Sequence, residues 1–111
     1  MNSKKILKNW VKYFNDANLS QITNLYDKDS ILIPTFSDQI LFNHKKIKDY
    51  FYNVLIDQKA SVEISFSSVL EQKFSKNLYL LCGDYIFIFS KKKQTSARFT
   101  FLINPLSDNP I

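Results

Sequence analysis

Apolar residues recur along this chain first at helical spacing and later at strand spacing. Ile6, Leu7, Trp10, Val11 and Phe14 form a stripe on one helix face. Asn2 or Ser3 is placed to cap that helix. Asn15, Asp16 and Asn18 mark a turn, and Leu19, Ile22, Leu25 and Tyr26 predict a short second helix. Asp27, Lys28, Asp29 and Ser30 break the pattern. The apolar run Ile31 to Ile33 ends at Pro34 and predicts a short strand, paired as a hairpin with Gln39 to Phe42 around Phe36, Ser37 and Asp38. Asn43 is placed to cap a third helix. In it Ile47, Tyr50, Phe51, Val54 and Leu55 recur at i, i+3, i+4, i+7 and i+8, the clearest amphipathic pattern of the chain.

Beyond Val62 the period changes to two. Val62, Ile64 and Phe66 alternate with Glu63, Ser65 and Ser67, which predicts a half-buried strand. The apolar register shifts between Phe66 and Leu70, which predicts a bulge near Ser67 and Ser68. Leu78 to Phe89 and Gln94 to Ile103 predict two long strands, joined by a turn at Lys91 to Lys93. Helices followed by a run of antiparallel strands give an α+β class rather than βαβ winding. The expected architecture is a cone: a curved antiparallel sheet wrapped around a long helix, with two further helices from the N-terminal part and a pocket between the layers.

Composition narrows the picture. A chain of 111 residues is expected to form one domain, 1–111. Aromatics make up 15% of it, enough to fill a core and line a pocket. The formal charge is +5, yet Arg98 is the sole arginine among fifteen basic residues. Nucleic-acid readers favour arginine for paired contacts, so a solvated basic surface is expected and no nucleic-acid partner. The N-terminus lacks the apolar core of a signal peptide, and no run approaches the ~20 apolar residues of a membrane span. One cysteine, Cys82, allows no internal disulfide. A cytoplasmic protein without membrane contact is the expectation.

Four segments, in order, carry a family resemblance. They are Leu25-Tyr26-Asp27-Lys28-Asp29-Ser30-Ile31-Leu32-Ile33-Pro34-Thr35-Phe36-Ser37, Ile47-Lys48-Asp49-Tyr50-Phe51, Cys82-Gly83-Asp84-Tyr85-Ile86-Phe87, and Ala97-Arg98-Phe99-Thr100-Phe101. Together they resemble the nuclear transport factor 2-like superfamily, in particular the association domain of calcium/calmodulin-dependent protein kinase II and its bacterial stand-alone relatives. No Gly-rich nucleotide loop or His-Arg-Asp loop accompanies them, so kinase activity is not implied. The stand-alone relatives are similar to the iota class of carbonic anhydrases. That similarity implies reversible hydration of carbon dioxide without a metal, with Thr35 and Tyr50 as catalytic residues. It also implies Arg98 as a ligand-binding residue for bicarbonate or another small anion. Tyr85, on the strand face opposite Asp84, and Ser37 are further candidate ligand-binding residues. The relatives' closing His-His-Ser-Ser strand has no counterpart before Ile111. The alternative reading is a non-catalytic module for association, as a homodimer or larger homo-oligomer, or for binding a small molecule.

The residues themselves leave these roles open. On its strand Arg98 shares a face with Thr100 and Leu102, opposite Ala97, Phe99 and Phe101. Its guanidinium could grip a carboxylate in a pocket or pair with Asp84. The Thr35 hydroxyl could orient a ligand or bond its own turn. Tyr50, on a buried stripe, needs a partner for its phenol, which could be ligand or backbone. His44, the only histidine, is expected in solvent at a helix start. One His, one Cys and scattered acids do not make a zinc site, and no cofactor is expected. Cys82 reads as a small buried apolar residue.

Overall fold

The computed structural model describes residues 2–90 and 93–111. Lys91 and Lys92 of the predicted strand turn lie outside the described residues. Helix α1, Ser3–Asn15, starts where the Asn2 side chain accepts from the Lys5 N–H at 2.8 Å. Its stripe of Ile6, Leu7, Trp10 and Phe14 is buried as predicted. Helix α2, Leu19–Asn24, is capped by Asn18 in the same way, at 3.1 Å from the Gln21 N–H. It stops before Leu25 and Tyr26, which remain buried in the bends that follow. Helix α3, His44–Tyr52, is capped by Asn43 at 2.9 Å from the Lys46 N–H.

The predicted third helix does not run unbroken to Leu55. A π-helical turn, Asn53–Asp57, replaces its last part, and the Gln58 N–H reaches back five residues to the Asn53 carbonyl at 2.9 Å. Val54 and Leu55 stay buried within it. Ala17 and Lys59, at φ 52° and 51°, make the left-handed turns that follow helical segments. The predicted hairpin contracts to one bridge, in which Leu32 and Leu41 exchange both backbone hydrogen bonds at 2.8 and 2.9 Å. Pro34 has no N–H with which to extend that ladder.

Among the described residues one antiparallel sheet contains β1 (Ser61–Ile64), β2 (Leu70–Ser75), β3 (Leu78–Ile88) and β4 (Gln94–Ile103). Strand β3 is central. One of its edges pairs with β1 over Tyr85–Ile88 and with β2 over Leu78–Cys82. Its other edge pairs with β4 from Tyr79↔Ile103 to Ile88↔Gln94. The predicted bulge is a 3-10 turn, Phe66–Ser68, that divides β1 from β2. Strand β2 itself is exposed at every residue and shows no alternation.

The curved sheet and the helices give the expected α+β architecture. The inner face of β3 and β4 is aromatic. Tyr85, Phe87, Phe99 and Phe101 are all buried there, against Trp10 and Phe14 of α1 and Phe51 of α3. Trp10 lies 5.5 Å from Phe101 and 6.2 Å from Tyr85 between ring centroids. Gly83 leaves room for the Phe99 ring opposite it: a Cβ at Gly83 would stand 3.1 Å from Phe99 Cζ.

Candidate functional site

A cleft of about 650 Å³ opens between β4 and the segment 29–33. Buried side chains of Tyr26, Tyr85, Phe99 and Phe101 line its inner part. Its rim is formed by Ile31, Ile33 and Leu102, which are 66%, 79% and 55% exposed. Alternation along β4 places Phe99 and Phe101 inward, and the open course of the chain before Leu32 leaves Ile31 and Ile33 unpacked. Ile111 also lines the cleft. It is anchored by its N–H to the Leu25 carbonyl at 2.8 Å and by its carbonyl oxygen, which accepts from Ser30 Oγ at 2.9 Å.

Three of the expected site residues, Tyr85, Thr35 and Tyr50, come close to one another, and of the three Tyr85 lines the cleft. Tyr85, from β3, places its phenol oxygen 3.4 Å from Thr35 Oγ1. Tyr50, from α3, accepts the Phe36 N–H at 3.4 Å. Helix α3 presents Tyr50 there because it follows the buried Ile47 by three residues and so borders the core-facing side. Burial pushes the Tyr50 phenol up to about 12, against a smaller opposing effect of the Phe36 N–H. Burial also raises Tyr85, against the Thr35 hydroxyl. Both phenols are therefore neutral at pH 7 and can donate a hydrogen bond but not take a proton.

Two expected site residues lie elsewhere. Arg98 is exposed on the outer face of β4, because the aromatic alternate residues occupy the inner face. It stands opposite Asp84 in register yet forms no ion pair among the described residues. It does not line the cleft, although Thr100 and Leu102 of the same strand face do. Ser37 stabilises its own turn, its Oγ accepting from the Gln39 N–H at 3.2 Å. His44, expected in solvent, is half-buried, with Nε2 3.1 Å from the Thr23 carbonyl oxygen. Cys82 is half-buried on the outer sheet face.

Tyr26 was missing from the expected site, since its place in an apolar helical stripe marked it as core alone. It is core as well as cleft wall: its phenol oxygen accepts from Trp10 Nε1 at 3.1 Å, and burial pushes the phenol above its ordinary value, keeping it protonated. Asp29 supplies an exposed carboxylate at the cleft. Among the described residues no three His, Cys, Asp or Glu side chains converge as metal ligands, and no helix is long and apolar enough to cross a membrane.

No family model and no curated protein matches the sequence. Solved structures do match the fold. One is a Xanthomonas campestris protein described as a calcium/calmodulin-dependent protein kinase II association domain, at TM-score 0.78 and 20% identity, over 95% of this chain and 76% of that one. Another is a nuclear transport factor 2-like protein of unknown function from Shewanella oneidensis, at TM-score 0.75 and 14% identity, over 96% and 88%. A third, described as a scytalone dehydratase from Novosphingobium aromaticivorans, matches at TM-score 0.78 and 7% identity, over 96% and 73%. The chain has the nuclear transport factor 2-like fold. None of the three is described as a carbonic anhydrase.

Proposed function

We propose that this chain is a binding module of one domain, which holds an apolar ligand in the cleft and offers it hydrogen bonds from Tyr85, Thr35 and Tyr50. The observation that carries this reading is an aromatic-lined cleft whose wall residue Tyr85 keeps its phenol protonated beside the Thr35 hydroxyl. Hydration of carbon dioxide needs a group that takes a proton from water, and a general base works best when poised near the operating pH. Tyr50 and Tyr85 are displaced in the wrong direction for that task. Arg98 is not among the residues that line the cleft. Thr35 and Tyr50 accordingly act in recognition rather than in catalysis.

Fluorescence titration with 8-anilinonaphthalene-1-sulfonate tests this reading. Saturable enhancement at one site is expected, weakened by about tenfold or more in an Ile31→Glu/Ile33→Glu variant, because charge at the rim disfavours an apolar probe. Absence of saturable binding overturns the reading. So does carbon dioxide hydration above the uncatalysed rate that falls in Tyr50→Phe.

A second role is supported by the outer sheet face. Leu70 is 69% exposed there, and Leu80, Ile86 and Ile88 are only half-buried. Such a face suits self-association into a homodimer about a two-fold axis. The aromatic residues of the strands contribute little to this face: Phe101 is buried inward, and Phe66 and Phe89 pack on the core.

A further inference from the structure

Both walls of the cleft are extended backbone. Strand β4 is paired to β3 along its length and to no other strand among the described residues. In an antiparallel ladder alternate residues turn their N–H and C=O away from the partner. About half of the β4 residues therefore present unpaired backbone groups along the free edge. On the opposite wall Leu32 commits both of its backbone groups to Leu41. Extended geometry directs those of Ile31 and Ile33 to the other side, and neither makes a backbone hydrogen bond among the described residues. Both residues line the cleft.

The β4 edge also lacks the usual protection. Exposed edges are commonly blunted by lysine, proline or inward charges. Gln94 to Ile103 contains no Lys, Pro, Asp or Glu, and Arg98 is its one charge. That guanidinium is exposed beside the free edge with no ion-pair partner among the described residues, in a chain of net charge +5. The exposed carboxylates nearby are Asp84, opposite it on β3, and Asp29, on the far wall of the cleft, so the place for guest acids is beside Arg98 on the outer side of β4.

We propose that the cleft receives an extended acidic segment of a partner protein as an added strand between β4 and Ile31–Ile33. Main-chain hydrogen bonds to the edge supply much of the affinity in strand addition, and alternate side chains supply specificity. Inward apolar side chains of the guest would lie over Tyr85, Phe99, Phe101 and Ile111. Its outward acidic side chains would lie beside Arg98. This inference rests on the binding-module reading and gives the class of its partner.

Hydrogen exchange tests it, with a blocked peptide of about ten residues that alternates valine and glutamate as the probe. The peptide is expected to slow amide exchange within 98–102 and at Ile31 and Ile33. Arg98→Glu is expected to weaken binding by about tenfold, while Arg98→Lys retains most of it. Replacing glutamate by lysine in the peptide should weaken binding similarly. N-methylation of alternate peptide amides should abolish it, because one edge then loses its partners. Equal binding of the N-methylated peptide overturns the proposal, since only apolar side chains would then be read. Protection of β4 without peptide, growing with protein concentration, also overturns it and gives the edge to a second copy. If the peptide protects nothing while the fluorescent probe still binds, strand addition fails and the binding module stands. If neither binds, both readings fail.

Discussion

Tyr50 and Tyr85 show how position sets the chemistry of one side-chain type. A phenol in an unfolded chain ionises near pH 10. Burial raises both in the folded chain, Tyr50 to about 12. Above pH 10 the unfolded chain has lost protons that the folded chain still holds, so stability falls as pH rises. Their stabilising contribution is complete below pH 10 and is lost as pH climbs through the folded values. Urea unfolding between pH 10 and 12 should therefore show a steeper loss in the native sequence than in Tyr50→Phe, by up to about 1.4 kcal/mol per pH unit. Parallel pH profiles would contradict the assigned burial. The sequence made Tyr50 visible by the family resemblance and by its helical stripe, and Tyr85 by the alternation of its strand around Asp84. It made the alternation around Arg98 visible too, but alternation is symmetric about the strand. Only the packing of Phe99 and Phe101 against Trp10 and Tyr85 decides which face is inside.

Elements with strong periodicity were legible, and those held by neighbours were not. The Asn2, Asn18 and Asn43 caps and the α1 stripe follow from local chemistry. Strand β2 has no buried residue, so no alternation marks it; pairing with β3 alone makes it a strand. The π-helical turn was hidden because it keeps Val54 and Leu55 buried, as an α-helix would. Asn15 reads as a turn former, yet its carboxamide acts as a substitute strand for the edge of β1. Its Nδ2 donates to the Val62 carbonyl at 3.0 Å, and its Oδ1 accepts the Val62 N–H at 2.8 Å. Asn15→Ala leaves both backbone groups without this partner and should cost about 1–3 kcal/mol. Asn15→Gln is expected to recover little, because its longer arm displaces the paired geometry. A loss below about 0.5 kcal/mol would mean that water replaces the side chain freely.

At the scale of the whole molecule, the order of the four resemblance segments was enough to anticipate the architecture, which the solved structures share. The cleft was not legible in detail, since its walls join residues near 31 to residues near 100 through a sheet edge. The outer face carries its own expectation. Sedimentation equilibrium should give a dimer at micromolar concentration, converted to monomer by Leu70→Lys with Ile86→Lys. A native monomer under those conditions would remove the association role while leaving the cleft untouched.

The central claim is that the phenols at the cleft recognise a ligand and do not activate water. Tyrosine ring carbon resonances, followed by NMR against pH and assigned with Tyr50→Phe and Tyr85→Phe, test it most directly. The expected result is a Tyr50 midpoint of about 12 and a Tyr85 midpoint above the ordinary phenol value. A midpoint near neutrality for either phenol would place a base at the cleft and contradict the account.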